Sequence, residues 1–189
     1  MEHVVKKGEN TQEVKYNKWA ILFCVVTMTF MSCIDGSIVN VALPKISYDL
    51  NKPILDTQWI VTTYLMVISA LVLLCGRIGD IKGKCKVFKV GVLIFTIGSF
   101  FSGLSKTLPL LIVSRAIQGV GGSCAMATGM GIITAFFNEK ERGKAMGLSA
   151  TAVAMGVMVG PALGGILVSI RWDLIFWINV PIGIIAFLL

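Results

Sequence analysis

Two charged residues of opposite sign lie inside long apolar stretches of the sequence, where charges are rare. Asp35 falls within residues 19–43 and Arg115 within residues 108–133, and each stretch is long enough to cross a membrane as a helix. By insertion scales, an ionisable side chain near the centre of such a helix costs about 2.5–3.5 kcal/mol, so its presence indicates a function. Opposite charges can neutralise each other or compete for a proton. The two residues therefore predict proton or cation chemistry within a bilayer.

The predicted depths of these residues are similar. At a rise of about 1.5 Å per residue, Asp35 is ~12 Å and Arg115 ~10 Å from the outer end of its apolar stretch. Pro161, within residues 145–170, is ~13 Å from the same side of the membrane. Asp35 can therefore meet Arg115 if their two helices are neighbours, which the sequence leaves open.

Composition indicates that membrane helices carry these residues. Hydrophobic residues make up 56% of the chain and charged residues 14%, and the mean hydropathy is +0.83, which is unlike a soluble domain of this size. A bilayer core of about 30 Å requires roughly 20 apolar residues per helix. Six stretches approach this length: residues 19–43, 58–75, 87–104, 108–133, 145–170 and 172–189. We expect an all-α membrane protein, with residues 1–18 as a cytoplasmic tail and residues 19–189 as a six-helix transmembrane bundle.

The distribution of basic residues predicts the orientation of the bundle. Most of the 17 lysines and arginines lie in the amino-terminal tail, after the second apolar stretch or after the fourth. Cytoplasmic loops are enriched in these residues, so we expect the amino terminus in the cytoplasm and the protein in the cytoplasmic membrane. The net charge of +7 reflects this topology. Because no basic patch is interleaved with stacking aromatic residues, we expect no nucleic-acid partner.

The five cysteines and the single histidine are not arranged for metal binding or catalysis. No cysteines are paired at metal-ligand spacing, and no nucleophile is accompanied by a base. We therefore expect no metal site, no cofactor and no enzymatic activity. Gln58, Tyr64 and Gln118 are polar residues in or beside apolar stretches, and packing or a substrate pocket would explain each equally well.

A short cytoplasmic loop is predicted at residues 76–86, where glycines punctuate a basic segment. Gly76 and Gly83 permit a tight backbone and a close approach of helices, and Asp80 can pair with a base or cap a helix amino terminus. An ordinary solvated basic turn is the alternative interpretation of the same segment.

The fifth apolar stretch contains a glycine pattern that predicts close helix packing. Gly156, Gly160 and Gly164 recur at intervals of four and share one helical face, and Gly165 follows directly. Small residues on one face let another helix backbone approach closely, and Pro161 removes a backbone donor and bends the helix. The same face can serve ordinary packing or a seam at which the halves of a transporter rock.

Five segments resemble motifs of the major facilitator superfamily, and specifically of its fourteen-helix drug:proton antiporter branch. The segments are residues 35–44, 76–86, 115–122, 156–165 and 171–183, and they occur in the family's order. In the second segment Gly76, Asp80, Gly83 and Lys84 are in register with the family's loop between helices two and three. Ile81 and Cys85 stand where bases are usual in that loop.

The resemblance implies a fold and a set of roles. The fold would be the amino-terminal six-helix bundle of a major facilitator transporter, a 3+3 inverted repeat and a fragment of a twelve- or fourteen-helix protein. Asp35 is implied as a membrane-embedded proton or cation-substrate site, and Arg115 as a participant in proton transfer. Asp80 and its loop are implied as a cytoplasmic gate against the missing carboxy-terminal half. Residues implied in the antiporter seam of the fifth helix are Gly156, Gly160, Pro161, Gly164 and Gly165.

We therefore expect the whole protein to export hydrophobic, often cationic, small molecules in exchange for protons. Its partners would be the lipid bilayer, the substrate, protons and the carboxy-terminal half, with the proton gradient as driving force and no cofactor. Asp35 would load a proton from outside and release it when the site opens inward. An uptake symporter of the same fold and a non-transporting truncated membrane protein are the alternatives.

Overall fold

Helices account for nearly all of the residues that the structure, a computed structural model, describes, which are residues 18–188. The helices are α1 (Lys18–Asp49), α2 (Ile54–Thr57), α3 (Trp59–Lys82), α4 (Lys84–Leu104), α5 (Leu108–Phe136), α6 (Glu139–Ile170), α7 (Leu174–Trp177) and α8 (Asn179–Leu188). No strand occurs between residues 18 and 188. The expectation of an all-α protein is confirmed, whereas the tail predicted at residues 1–18 lies outside the described residues except for Lys18, which begins α1.

Five helical segments among the described residues are long and apolar enough to cross a membrane. These segments are Lys18–Asp49, Ile54–Lys82, Lys84–Leu104, Leu108–Phe136 and Glu139–Ile170. Several extend beyond the predicted apolar stretches, because a helix continues into its charged ends for as long as its backbone hydrogen bonds continue.

The sixth predicted stretch is not one continuous helix. It consists of α7 and α8, which are interrupted at Ile178, and together they form a shorter apolar segment over Leu174–Leu188. Pro181 has no backbone N–H and is tolerated in the first turn of α8 but not in the interior of a longer helix. Residue 189 lies outside the described part of the chain.

The predicted loop at residues 76–86 is largely helical, which corrects the prediction. Helix α3 continues to Lys82 and α4 begins at Lys84, so Gly83 alone separates them. The φ of Gly83 is 99°, a left-handed backbone conformation that favours glycine. A single glycine therefore reverses the chain where an eleven-residue turn was expected.

Apolar side chains form two clusters that meet at the level of Asp35. On α1, the first cluster includes residues up to Met31, and the second begins at Ile34. Helix α5 packs along both α3 and α4, and α6 packs along α1. Asp35 thus lies at the junction of the two clusters, where it is shielded from the surface on every side.

Glycines bring the backbones of α4 and α5 into direct contact. A Cβ added at Gly98 would lie 2.6 Å from the backbone nitrogen of Gln118, and one added at Gly121 would lie 2.6 Å from the carbonyl oxygen of Gly91. Real side chains do not approach so closely, so only glycine fits at these positions. This close packing fixes the height and rotation of Gln118 relative to α4.

Candidate functional site

Asp35 and Arg115 form a buried ion pair. The Nη1 atom of Arg115 donates to Oδ2 of Asp35 across 2.6 Å, and the exposed fraction of both side chains is 0%. The adjacency that the sequence left open is therefore present in the structure. Removing two charges from water is costly, so such a pair persists only with close geometry and further hydrogen bonds.

Two amide side chains complete the surroundings of the Asp35 carboxylate. Its Oδ1 atom accepts hydrogen bonds from Nε2 of Gln118 and from Nδ2 of Asn179, each across 2.9 Å. Gln118 also donates to Oγ of Ser99 across 2.8 Å and accepts from Nη1 of Arg115 across 2.7 Å. The five side chains come from α1, α4, α5 and α8, and all are buried. We call this set the Asp35 cluster: Asp35, Ser99, Arg115, Gln118 and Asn179.

Aromatic rings enclose the guanidinium group of Arg115. Its Cζ atom lies 4.1 Å from the ring centroid of Tyr64 and 5.6 Å from that of Phe176. Its Nε atom donates to the backbone oxygen of Ile60 across 3.3 Å. A cation over an aromatic face is attracted by the ring quadrupole, and more strongly where water is excluded. Arg115 is therefore held by its carboxylate partner and by its aromatic neighbours.

Titration of the ion pair can occur only at Asp35. Arginine stays protonated in proteins, so the Arg115 charge is fixed. Protonation of Asp35 would remove the counter-charge and weaken the contact between α1 and α5. The arrangement can therefore couple a proton to the packing of two helices.

The predicted glycine face of α6 lies against α1 on both sides of Asp35. A Cβ added at Gly156 would lie 2.8 Å from Cβ of Cys33, and one at Gly164 would lie 2.9 Å from Cγ1 of Ile38. At Gly160 an added Cβ would overlap Oγ of Ser37 and lie 3.2 Å from the backbone oxygen of Ile34. Ser37 donates to the backbone oxygen of Gly156 across 3.3 Å.

Two members of the predicted seam lie off this face. Pro161 and Gly165 are exposed, and no atom of another described residue lies within 4 Å of a Cβ added at Gly165, apart from its chain neighbours and its own helix backbone. Positions 160 and 164 are one helical turn apart, so the adjoining positions 161 and 165 are rotated away from α1. The seam against α1 consists of the three glycines spaced by four.

A family model matches most of the chain. The model described as Major Facilitator Superfamily matches residues 25–189. The chain belongs to the major facilitator superfamily. This confirms the family resemblance, and because the members of the family that it matches are transporters, the chain is a transporter segment and not an enzyme domain.

Relatives of this major facilitator chain are transporters whose names give different substrates. The Riboflavin transporter RibZ of Clostridioides difficile (strain 630) is 45% identical over 170 residues, which cover 89% of this chain and 37% of the relative. The Multidrug transporter protein MdtP of Bacillus subtilis (strain 168) is 34% identical, covering 93% of this chain and 33% of the relative. The Tetracenomycin C resistance and export protein of Streptomyces glaucescens is 32% identical, covering 89% and 31% respectively. This chain thus spans about a third of the length of these relatives.

A solved structure supports the same fold. The proton:xylose symporter XylE, bound to 6-bromo-6-deoxy-D-glucose, matches with a TM-score of 0.78 over 90% of this chain and 43% of XylE. The sequence identity is 13%, so the likeness concerns the fold alone. The expectation of a major facilitator fold is confirmed.

The residues that the sequence predicts as a cytoplasmic gate lie at the α3–α4 connection. Nζ of Lys84 is 3.4 Å from Oδ1 of Asp80, and both side chains are partly exposed. A Cβ added at Gly131 would lie 2.8 Å from Cδ of Lys84, so this lysine lies over α5. Gly83 makes the turn, whereas Gly76 packs loosely, with its nearest neighbour 3.9 Å from an added Cβ. No described residue of this connection contacts the Asp35 cluster.

Sequence reasoning identified part of the Asp35 cluster. Gln118 and Tyr64 were candidates for either packing or a pocket, and both lie at the site. Ser99 and Asn179 were not identified as site residues. Asn179 offered a signal, because it is an amide within the apolar stretch at residues 172–189. A serine such as Ser99 offers none, since its hydroxyl can bond to its own helix.

Proposed function

We propose that this chain is the amino-terminal bundle of a transporter that exports hydrophobic or cationic small molecules in exchange for protons. The observation that carries the proposal is the ion pair of Asp35 and Arg115, which is fully buried and bonded to amide partners. A charge at this depth costs free energy, so a charge that is kept there usually has a functional role.

In the proposed cycle, Asp35 exchanges the proton and Arg115 supplies a fixed charge. With Asp35 ionised, the pair holds α1 against α5. When Asp35 takes a proton from the outside, the ion pair is lost and the two helices are freed to shift. Release of the proton to the cytoplasm restores the pair, and the proton gradient drives the cycle without a cofactor.

In this conformation the Asp35 side chain is not accessible to a substrate. Both carboxylate oxygens are occupied by hydrogen bonds and the side chain has an exposed fraction of 0%. A cationic substrate would therefore act on Asp35 indirectly, by favouring the conformation in which the pair is open. This supports Asp35 as a proton site more than as a direct cation-binding site.

Export is supported by the glycine seam of α6 and by the name of one relative, and drug-like substrates are supported by the name of another. The seam matches the fifth-helix motif that the sequence resemblance associates with exporters. MdtP is named as a multidrug transporter, and the Streptomyces glaucescens relative is named as an export protein. We further propose that the amino terminus lies in the cytoplasm and that Gly76, Asp80, Gly83 and Lys84 face a carboxy-terminal bundle across the cytoplasmic side.

Transport of riboflavin or a similar planar heterocycle is the second candidate function. It is favoured by the 45% identity to the Riboflavin transporter RibZ, which exceeds the identity to MdtP and to the Streptomyces glaucescens export protein. A riboflavin-requiring host that grows at low external riboflavin only with the full-length protein would support this candidate as an uptake activity. Failure to rescue growth, together with cation export, would reject it.

The export proposal is tested in inverted membrane vesicles that contain the full-length protein. A fluorescent lipophilic cation should accumulate in the vesicles when a proton gradient is applied, and Asp35→Asn should abolish this accumulation. Asp49→Asn is the matched control, because Asp49 lies on the same helix but pairs with Lys45 at the exposed end. Gradient-driven accumulation that survives Asp35→Asn would contradict the assignment of Asp35.

A further inference from the structure

Asn179 is held at the Asp35 cluster by the way in which α8 packs on α4. It is the first residue of α8, directly after the interruption at Ile178, and its exposed fraction is 1%. A Cβ added at Gly183 would lie 3.1 Å from Cβ of Thr96, so α8 rests on α4 without an intervening side chain. This packing places the amide 2.9 Å from Oδ1 of Asp35.

All three side chains that bond to the Asp35 carboxylate in this structure act as hydrogen-bond donors. Arg115 donates to Oδ2, and the amides of Gln118 and Asn179 donate to Oδ1. Such an arrangement suits a carboxylate, which only accepts. A protonated carboxyl group also carries an O–H donor, and a buried donor without an acceptor is costly. One partner must therefore change its role when Asp35 is protonated.

Of the three partners, Asn179 alone can make this change without breaking another bond. Arginine has no acceptor. The side-chain oxygen of Gln118 accepts from Arg115 across 2.7 Å, and its nitrogen donates to Ser99, so turning the amide would place its NH₂ group against the guanidinium. Within residues 18–188, the Asn179 side chain makes only its bond to Asp35. Turning its amide by half a rotation would exchange the donor for an acceptor.

We propose that Asn179 is the positioning residue that lets Asp35 alternate between its ionised and protonated forms. The Asn179 amide donates to the carboxylate and, once turned, accepts from the carboxyl O–H. The inference rests on the proposed function, because it takes Asp35 as the group that is protonated. It also assigns a role to the sixth predicted span, since α8 carries the partner that responds to the proton.

Few other groups near Asp35 could contribute to a pH-dependent signal from this site. Among the described residues, α5 presents Arg115 and α3 presents Tyr64, whose ring centroid lies 4.1 Å from Cζ of Arg115. Helix α1 itself contributes Cys33. Helices α4, α6, α7 and α8 present Ser99, the glycine face, Phe176 and Asn179 respectively, none of which titrates near neutral pH. A change at residue 179 should therefore be seen directly in the titration of Asp35.

The test is an infrared titration of the Asp35 carboxyl in the full-length protein in lipid, with Asp35→Asn as the reference spectrum. Hydrogen bonds to charged groups are about twice as strong as those between neutral groups. Asn179→Leu therefore destabilises the ionised form more, and the midpoint should move upward by about one pH unit. The C=O stretch of the protonated form should also move to higher frequency, because the carboxyl O–H loses its acceptor.

Two further variants make the result decisive. In Asn179→Asp, which keeps the shape of asparagine, two carboxyl groups would share one proton, so the midpoint should move upward further than in Asn179→Leu. Asn40→Leu is the matched control, because Asn40 is an exposed amide on α1 whose side chain, within residues 18–188, bonds only to the backbone oxygen of Gly36. It should leave the midpoint and the C=O stretch unchanged.

The possible outcomes separate the inference from the proposed function. If wild-type Asp35 titrates but the midpoint and the C=O stretch are the same in the Asn179 variants, the role of Asn179 is wrong and the proton site stands. If wild-type Asp35 gives no titration signal, the proton site and the role of Asn179 both fail. Should Asn179→Leu not assemble, Asn179→Asp decides alone, and a wild-type midpoint in that variant overturns the inference.

Discussion

Breaking the buried ion pair at one partner should be more damaging than replacing both partners. Asp35→Asn replaces the carboxylate that lies 2.6 Å from the Arg115 guanidinium with a neutral amide, so the buried guanidinium loses its counter-charge. Removal of one member of a buried pair costs about 3–5 kcal/mol, whereas replacing the whole pair by apolar residues of similar volume is often nearly neutral, because no unpaired charge remains. The double variant Asp35→Asn/Arg115→Gln should therefore recover most of the free energy of unfolding that Asp35→Asn loses.

The two single variants should differ in their response to pH. Arg115→Gln leaves an unpaired Asp35, which can take up a proton and become neutral, so the destabilisation by this variant should shrink as the pH falls. Arg115 cannot lose its proton at any accessible pH, so the destabilisation by Asp35→Asn should not be relieved by raising the pH. Neither single variant nor the double variant should retain proton-driven transport.

The surface pair of Lys45 and Asp49 provides the matched control. Its atoms are 2.7 Å apart, almost as close as the buried pair, but the exposed fractions of its side chains are 42% and 30%. Asp49→Asn should change the free energy of unfolding by no more than about 0.5 kcal/mol. The measurement is denaturant unfolding of the full-length protein in lipid nanodiscs. The reasoning is refuted if Asp35→Asn costs no more than Asp49→Asn, or if the double variant is no more stable than Asp35→Asn.

Three further predictions concern packing and orientation. Gly121→Ala should destabilise the protein by about 1–3 kcal/mol in the same unfolding assay, because its Cβ would lie 2.6 Å from a backbone oxygen of α4. Gly122→Ala should be nearly neutral, because no described neighbour would lie closer than 3.4 Å to its Cβ. Gly160→Ala should lower both stability and transport, whereas Gly165→Ala, with nothing within 4 Å, should lower neither. Cys85 is exposed at the end of the bundle proposed to be cytoplasmic. In a variant that keeps Cys85 as its sole cysteine, a membrane-impermeant maleimide should therefore label the protein in inverted vesicles and not in intact cells. The reverse pattern would contradict the proposed orientation.

Hydropathy predicts which parts of this fold are membrane helices better than it predicts where they begin and end. A hydropathy window ends at the first charges, but a helix does not, so α1 continues past Lys45 and α6 begins at Glu139. At Gly83, a backbone conformation that only glycine adopts readily allows a one-residue reversal, which apolar content cannot predict. The interruption at Ile178 likewise depends on backbone hydrogen bonding near Pro181 and not on hydropathy.

The charged members of the Asp35 cluster were predictable from the sequence, Gln118 was an ambiguous candidate, and Ser99 and Asn179 were not predicted. Asp35 and Arg115 are conspicuous because a charge in an apolar helix is costly whatever surrounds it. Ser99 and Asn179 are neutral and cost less, so their presence in an apolar stretch does not by itself indicate a partner. Whether such a side chain reaches the Asp35 cluster depends on how α4 and α8 are rotated. That rotation is set by contacts between distant parts of the sequence.

Glycines in α5 connect the packing of the helix to the geometry of the proposed proton site. A Cβ added at Gly119 would lie 3.1 Å from the backbone oxygen of Tyr64, and one added at Gly121 would lie against the backbone of α4. Because α5 is thus in close contact with α3 on one side and α4 on the other, it cannot rotate without a clash. Arg115 and Gln118 precede these glycines by less than two turns of the same helix, so their side chains are directed at Asp35 by the same contacts. Residues 115–122 therefore act as one unit, in which the glycines position the charged and amide groups. A substitution at Gly119 or Gly121 should disturb the ion pair of Asp35 and Arg115 although neither glycine contacts it.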